Sequence, residues 1–317
     1  MTDHRTRLAQ AAQAAWADAA PRLGLSPDPA ALTVISARRE PRGGRIVARI
    51  IPGQGRPVMI LKLRLGGDPE RLAQAMRAYH RAAISLAAHP GLAVPRVIMA
   101  LPDHHAVILS ECPGTDARSL LADSTTPADH PRVMQAAGQW LGALHRGQSD
   151  TPAVFDPANA LRALTRRARN TKSPHHPALI RLVEQSQTLA AALSGRLWPR
   201  AVIHGDMTLG NLLIAPGQIS GIDLENDSPA PIARDIAMLL IDHELWFGHH
   251  PAAISSFWQG YGADLGDDPL LRFHIRLRLA RLWSDMPPDP AKITPRRAHL
   301  WSGLQAMTAR LEGEATT

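Results

Sequence analysis

The sequence predicts an α+β fold of two unequal lobes, a small antiparallel sheet first and a larger helical region after it. Three observations carry this. Apolar alternation with Gly and Pro punctuation fills the first third, in "LTVISARRE" (32–40), "RIVARIIPG" (45–53) and "RPVMILKLRL" (56–65). From Ser119 onward apolar residues recur at helical spacing, over 131–146, 158–169, 177–195, 230–246, 251–261, 268–284 and 295–312. The chain, 317 residues and 45% hydrophobic, is long enough for one large domain or two lobes. Strands gathered ahead of helices, rather than alternating with them, mark the α+β class.

Taken in order, "MTDHRTRLAQAAQAAWADAAPRLGL" reads as an amphipathic helix ending near Pro21. It has no apolar core of the signal-peptide kind. A three-stranded meander follows, with turns at Pro41-Arg42-Gly43-Gly44 and Pro52-Gly53-Gln54-Gly55. Residues 68–89 read as a helix, with Asp68 as N-cap and Pro69 at its first position. "LAVPRVIMALP" and "HHAVILSEC" bring the strands to about five. The last exits through Pro113-Gly114, so the chain divides into a first lobe (1–109), a connector (110–118) and a helical lobe (119–317). One stretch of that helical lobe reads strand, loop, strand: "AVIHGDMTLGNLLIAPGQISGIDLEN" (201–226).

Composition excludes several classes. No window approaches the roughly 18 apolar residues of a membrane span, so no membrane partner is expected. Cys112 is the single cysteine, which rules out an intrachain disulfide and a multi-cysteine zinc site and suits a cytoplasmic chain. The net charge is +7, but the positive residues are scattered. The longest basic cluster, "LTRRARNTK" (164–172), has no interleaved aromatics, so a nucleic-acid partner is not expected.

The hairpin at 201–226 carries the chemistry. Asp206 and Asn211 sit on its loop and Asp223 at its exit. That set suits phosphoryl transfer, which needs a carboxylate to orient or deprotonate an attacking hydroxyl and hard oxygen ligands for Mg²⁺. Asp206 is the candidate base, and Asn211 and Asp223 are the candidate Mg²⁺ ligands.

His204-Gly205-Asp206-x₄-Asn211, followed by Ile222-Asp223, resembles the catalytic motif of the aminoglycoside phosphotransferase and choline kinase superfamily, small-molecule kinases with a protein-kinase-like fold. Further segments are similar in family order: "VMILKLRL" around Lys62, "VPRVI" (94–98), "VILSECPG" (107–114), "GQWLGALHR" (138–146) and "APIARDIAMLL" (230–240). The resemblance covers about 62 to 240. It implies an ATP- and Mg²⁺-dependent transfer of the γ-phosphate to a hydroxyl of an aminoglycoside, amino sugar, choline or ethanolamine type of acceptor. Asp206 would be the base, and Lys62 would contact the ATP phosphates. Ser110, Glu111 and Cys112 would lie along the adenine. His204 and Asp235 would brace the catalytic loop.

The pattern also departs from the family. "REPRGGR" is not G-x-G-x-x-G: Gly43-Gly44 either let the backbone approach phosphates or make an ordinary hairpin turn. A kinase lysine is normally oriented by a helix Glu. Here the middle of 68–89 reads Tyr79-His80-Arg81, so either Glu70 reaches Lys62 or the pair is absent. "IDLEN" resembles the "IDFE" of choline and ethanolamine kinases, which makes Glu225 either a further metal ligand or a loop anchor. Asp242 and Glu244 are candidates to receive acceptor amines, and Trp246 and Trp283 to face an acceptor cation. Asp242, His243, Glu244, His249 and His250 look like a metal cluster, but helical spacing scatters them around the axis. The alternative function is a catalytically weak nucleotide-binding or regulatory protein on the same fold.

Overall fold

The computed structural model describes residues 2–40, 43–53, 55–170, 176–224, 226–287 and 294–314. The chain forms two compact units. The first comprises Met1–Gly114 with Ala215–Asp227, and the second Thr115–Ile214 with Ser228–Thr317. The sequence division at 110–118 had left 215–227 with the helical lobe; this segment, which carries Asp223, groups with the first unit.

The first unit opens with α1 (Thr2–Arg22) and continues through β1 (Leu32–Glu40), β2 (Gly43–Ile50), β3 (Met59–Leu65), α2 (Pro69–Leu86), β4 (Leu92–Ala93), β5 (Val97–Leu101) and β6 (Ala106–Ser110). Five strands form one antiparallel sheet in the order β1-β2-β3-β6-β5. Leu8, Ala12, Ala15, Trp16, Ala19 and Ala20 recur at helical spacing, so α1 buries one face. It packs on the sheet side that carries Ile46, Ala48, Ile50, Met59, Leu61 and Leu63. Each such fully buried Leu or Ile is worth about 1.5–3 kcal/mol. Because strand side chains alternate, Lys62 points to the opposite face, with Val47 and Val107 as its neighbours in register. Gly43 and Gly44 are strand residues paired with Glu40 and Arg39. A Cβ on Gly43 would strike Leu65 O, and one on Gly44 would lie 2.6 Å from His4 Nε2. In α2, the N-cap Asp68 accepts from Glu70 N at 3.0 Å, and Ala78, Tyr79, Ala82 and Leu86 are buried.

The second unit begins with β7 (Thr115–Asp116), α3 (Ala117–Ala122), α4 (Asp129–Gly147), β8 (Ser149–Val154), α5 (Ala158–Asn170), α6 (His176–Leu193), β9 (Leu197–Val202) and β10 (Leu212–Ala215). The chain then returns to the first unit as β11 (Gln218–Gly221), which pairs in parallel with β4. It re-enters the second as β12 (Pro229–Pro231), α7 (Ile232–Phe247), α8 (Pro251–Tyr261), α9 (Pro269–Ser284) and α10 (Pro295–Glu314). The sheet here is small, in the order β12-β9-β8. Among the described residues no helix is long and apolar enough to cross a membrane.

Several short elements escaped the sequence reading, α3 and β8 among them. Helix α3 is only six residues long, started by Asp116 accepting from Ser119 N at 3.0 Å. Strand β8 is mostly exposed, so it shows no alternation to read.

Helices α4 and α8 approach closely because glycines line the contact. A Cβ on Gly138 would collide with Phe257 O and lie 2.8 Å from Tyr261 N, and one on Gly260 would collide with Gln135 O. Those obstacles are backbone and cannot swing away. Gly138→Ala should therefore destabilise the protein by about 1–3 kcal/mol or more in urea unfolding, although alanine favours a helix. Gly313→Ala, where a Cβ meets nothing within 4 Å, should cost nothing in the same assay.

Candidate active site

Strand β9 delivers the chain into the loop Ile203-His204-Gly205-Asp206, and a short 3-10 turn at Leu209–Asn211 leads into β10. Helix α7 holds this loop at both ends. Asp235, fully buried, accepts from His204 N at 2.7 Å and from Gly205 N at 2.9 Å. Two helical turns later Asp242 accepts from Leu209 N at 2.9 Å. Asp206 lies between these anchors and is exposed. Its backbone N–H donates to His204 Nδ1 at 3.3 Å, and its carbonyl accepts from Asn211 Nδ2 at 2.8 Å. Because that partner is a carbonyl, the amide must present its NH₂ there, which leaves Asn211 Oδ1 as a free-standing acceptor.

The anchors have supports of their own. His145 Nε2 donates to Asp235 at 3.3 Å, so His145 Nδ1 accepts from the Tyr261 hydroxyl at 3.0 Å. Burial alone would raise the Asp235 carboxyl. The His145 hydrogen bond, the electrostatic influence of His145 and His204 and the Gly205 N–H outweigh it and hold the group below its ordinary value. Burial pushes the Tyr261 phenol up, which keeps it a donor. Asp242 is gripped by Arg118, whose Nη2 lies 2.9 Å from both carboxylate oxygens. The Arg118 guanidinium in turn sits 5.0 Å over the Trp246 ring. His204 is 2% exposed and meets Trp140 edge to face.

In the first unit, Lys62 Nζ donates to the Tyr79 hydroxyl at 2.9 Å and pairs directly with Asp223. Burial works against the ammonium, but the influence of Tyr79 and Asp223 prevails and raises it, so Lys62 keeps its charge. Glu70 is elsewhere, paired with Arg77 at 2.7 Å on the surface. The helix partner of Lys62 is therefore a tyrosine in the mid-helix position where a glutamate was sought. Asp223 adopts φ 63°, a left-handed conformation unusual for a non-glycine residue. A cavity of about 250 Å³ opens beside Lys62 and Tyr79, with Arg45, Arg64 and Arg71 in its lining.

The other sequence candidates fall into three groups. Ser110, Glu111 and Cys112 follow each other at the end of β6. There Ser110 N donates to Arg96 O at 2.9 Å, Glu111 pairs with Arg49 at 2.7 Å, and burial pushes the Cys112 thiol up against a hydrogen bond to Ser220. Glu244 is held by Arg310 at 2.7 and 2.8 Å, and Trp283 is a core residue donating to Thr308 Oγ1 at 3.1 Å. Glu225 lies outside the described residues. Tyr79, His145, Tyr261 and Arg118 were not singled out from sequence as site residues. Only Tyr79 left a signal, its place in mid-helix. The histidines around α7 pack on one another, His130 stacking on His250 at 4.4 Å and meeting His243 edge to face at 5.4 Å. No metal-holding cluster of His, Cys, Asp and Glu occurs among the described residues.

Two outcomes follow. Asp235→Ala should leave two buried N–H groups without an acceptor, each costing about 1–3 kcal/mol in chemical unfolding. Burial, then the charges of His130, His250 and His249, push His243 down to about 3 from 6.5. Between those values the unfolded chain binds a proton that the folded chain does not. Stability therefore falls as pH is lowered from about 6.5 towards 3. His243→Phe should flatten that limb in urea unfolding across pH; an unchanged slope would assign it to another group.

The sequence matches the phosphotransferase enzyme family over residues 37–274. A comparison with curated proteins finds no match. Solved structures share the fold at low identity. A microcompartment-associated aminopropanol kinase is 16% identical, with 94% of this chain and 97% of that one covered and a TM-score of 0.60. A glucosamine kinase in complex with glucosamine, ADP and inorganic phosphate is 17% identical, with 90% and 83% covered and a TM-score of 0.59. The amicoumacin kinase hAmiN, bound to AMP-PNP and Ca²⁺, is 15% identical, with 89% of each chain covered and a TM-score of 0.57. With the motif order, the two-lobe α+β architecture and a family match over well more than half its length, this chain belongs to the phosphotransferase enzyme family, in the aminoglycoside phosphotransferase and choline kinase superfamily of protein-kinase-like fold.

Proposed function

We propose that the protein transfers the γ-phosphate of ATP to a hydroxyl of a small molecule, with Mg²⁺. The observation that carries this is the exposed Asp206 on a loop fixed at both ends by α7. Such a carboxylate can orient an acceptor hydroxyl and take its proton. The hydroxyl oxygen forms the new O–P bond as the bond to the ADP oxygen breaks, and ADP leaves with those electrons.

The donor set fits the cation. Asp223 offers a carboxylate and Asn211 a free-standing amide oxygen, both hard ligands suited to Mg²⁺. An ion held by such oxygens would supply positive charge to offset that of the phosphates. Lys62, kept cationic and steadied by Tyr79, suits a phosphate contact, and the arginines lining the neighbouring cavity add positive potential. Gly43 and Gly44, with Ser110, Glu111 and Cys112, are assigned to the nucleotide. The nucleotides named in the related complexes support this reading. A catalytically weak nucleotide-binding protein was the alternative, on the grounds of the irregular first loop and the missing helix glutamate; the Tyr79 hydroxyl weighs against the second ground.

Asp206→Asn should lower turnover by about 10²–10⁴-fold with an unchanged unfolding midpoint. Full activity of that variant on the true acceptor would overturn the assignment. Tyr79→Phe removes a hydrogen bond to a charged group and should lower kcat/KM for ATP by about tenfold or more. Kinetics in varied ATP, beside a thermal-shift titration with ATP in the presence and absence of Mg²⁺, measure both effects.

A further inference from the structure

The acceptor side of the second unit carries a charge pattern opposite to the one expected from sequence. Asp242 and Glu244, nominated to receive amines, are both taken up internally, by Arg118 and by Arg310. Arginines collect instead on one face of α9. His274, Arg278, Arg281 and Asp285 follow each other at spacings of four, three and four, so they share that face. Facing them on α5 are Arg166 and Arg167, which together with Arg278, Arg281 and Asp285 line a cavity of about 310 Å³. Four arginines there meet a single carboxylate, Asp285, which lies 3.8 Å from Arg167 and is largely exposed. Among the described residues the guanidinium groups of Arg278 and Arg281 make no hydrogen bond or ion pair.

Arg234 extends the positive charge towards the catalytic loop. Arg234, in the first turn of α7, has its Nη2 at 3.5 Å from Gly205 O, next to Asp206. Its charge acts on both His274 and Arg281. Burial and the charges of Arg234, Arg167 and Arg278 lower Arg281, with only Asp285 opposing. Burial, then Arg234 and Arg281, push His274 down to about 3, so its ring is neutral. The Trp198 ring stacks on His274, 6.2 Å between centroids at 11°. Trp198 Nε1 and His274 Nε2 are both buried without a hydrogen-bond partner. An indole N–H can only donate, so Trp198 Nε1 calls for an acceptor oxygen.

We propose that Arg278 and Arg281, with Arg167, Arg234 and the Trp198–His274 pair, form the subsite for an anionic group, a carboxylate or a phosphate, on the hydroxyl-bearing acceptor. The acceptor role rests on the kinase reading above; the anion site itself does not. Guanidinium forks match the geometry of either anion and bind it through paired, charge-assisted hydrogen bonds. Arg234, whose charge acts on Arg281, also meets the residue preceding Asp206, so an acceptor holding its anion on α9 would offer its hydroxyl to the loop.

The test reads binding rather than turnover. Thermal unfolding is followed against inorganic phosphate at constant ionic strength, for the wild type, Arg278→Gln/Arg281→Gln and Asp285→Asn. Phosphate should stabilise the wild type. The double variant should need at least about tenfold more phosphate, which is the loss of one charged hydrogen bond. It should keep the wild-type response to Mg²⁺–ATP, which shows that it folds. Asp285→Asn, which removes the competing carboxylate, should respond at lower phosphate. Glycerate in place of phosphate separates the two anions: a matching arginine-dependent response assigns a carboxylate, and a response to phosphate alone assigns a phosphate. No stabilisation of the wild type, an equal response in the double variant, or an arginine-dependent response to ethanolamine instead would each overturn the proposal. Asp206→Asn should lose turnover yet keep the phosphate response. A wild type that binds phosphate but transfers none from ATP would sink the kinase reading and leave the anion site standing.

Discussion

Two carboxylates on one helix hold the loop that carries Asp206 in place. Asp235 and Asp242 are seven residues apart on α7, so they emerge from nearly the same face about 10 Å apart along the axis. One takes the backbone N–H groups of His204 and Gly205, the other that of Leu209. A loop would otherwise leave these donors to water and the chain free to sample many conformations. Fixing them from a buried helix makes the intervening Asp206 part of a rigid element, although it lies on a loop.

That grip depends on packing some distance away. The glycine-lined contact brings α8 against α4 so closely that Tyr261 backbone atoms meet Gly138 and Gly142. The same approach sets the Tyr261 hydroxyl against His145 Nδ1, and His145 then presents its other nitrogen to Asp235. The lack of side chains at this contact thus fixes a tautomer, and the tautomer steadies a buried charge. Asp242 is supported differently, by a bidentate guanidinium that itself rests on an indole face.

Much of this was legible in the sequence, for identifiable reasons. Strands β2 and β3 alternate cleanly because one face is buried under α1, and the long helices show their period because each packs on one side. Asp206, Asn211 and Asp223 were nominated because the proposed chemistry requires particular atoms at particular spacings. The helper groups were not. His145 and Tyr261 are 116 residues apart and meet only through tertiary packing. Asp242 and Glu244 read as open carboxylates because their partners, Arg118 and Arg310, lie far away in the chain. Trp283 read as an acceptor-facing ring, yet it sits in the core against Thr308. Local pattern reveals which groups a chain owns, whereas long-range pairing decides which of them remain free.

The exchange of a helix carboxylate for Tyr79 alters the charge balance around Lys62. With a glutamate on α2, the lysine and Asp223 would belong to a trio of net charge −1. With a phenol, neutral at pH 7, the same trio sums to zero. A polyanion entering this field is spared one unit of repulsion at short range, where a charge at 4 Å is worth about 4 kcal/mol at an effective dielectric constant of 20. The lysine is also left with a single formal counter-charge, so its position follows Asp223 more closely than it would in a doubly paired arrangement. Anything that draws the Asp223 carboxylate away therefore releases the Lys62 charge as well, and the two groups respond as one unit.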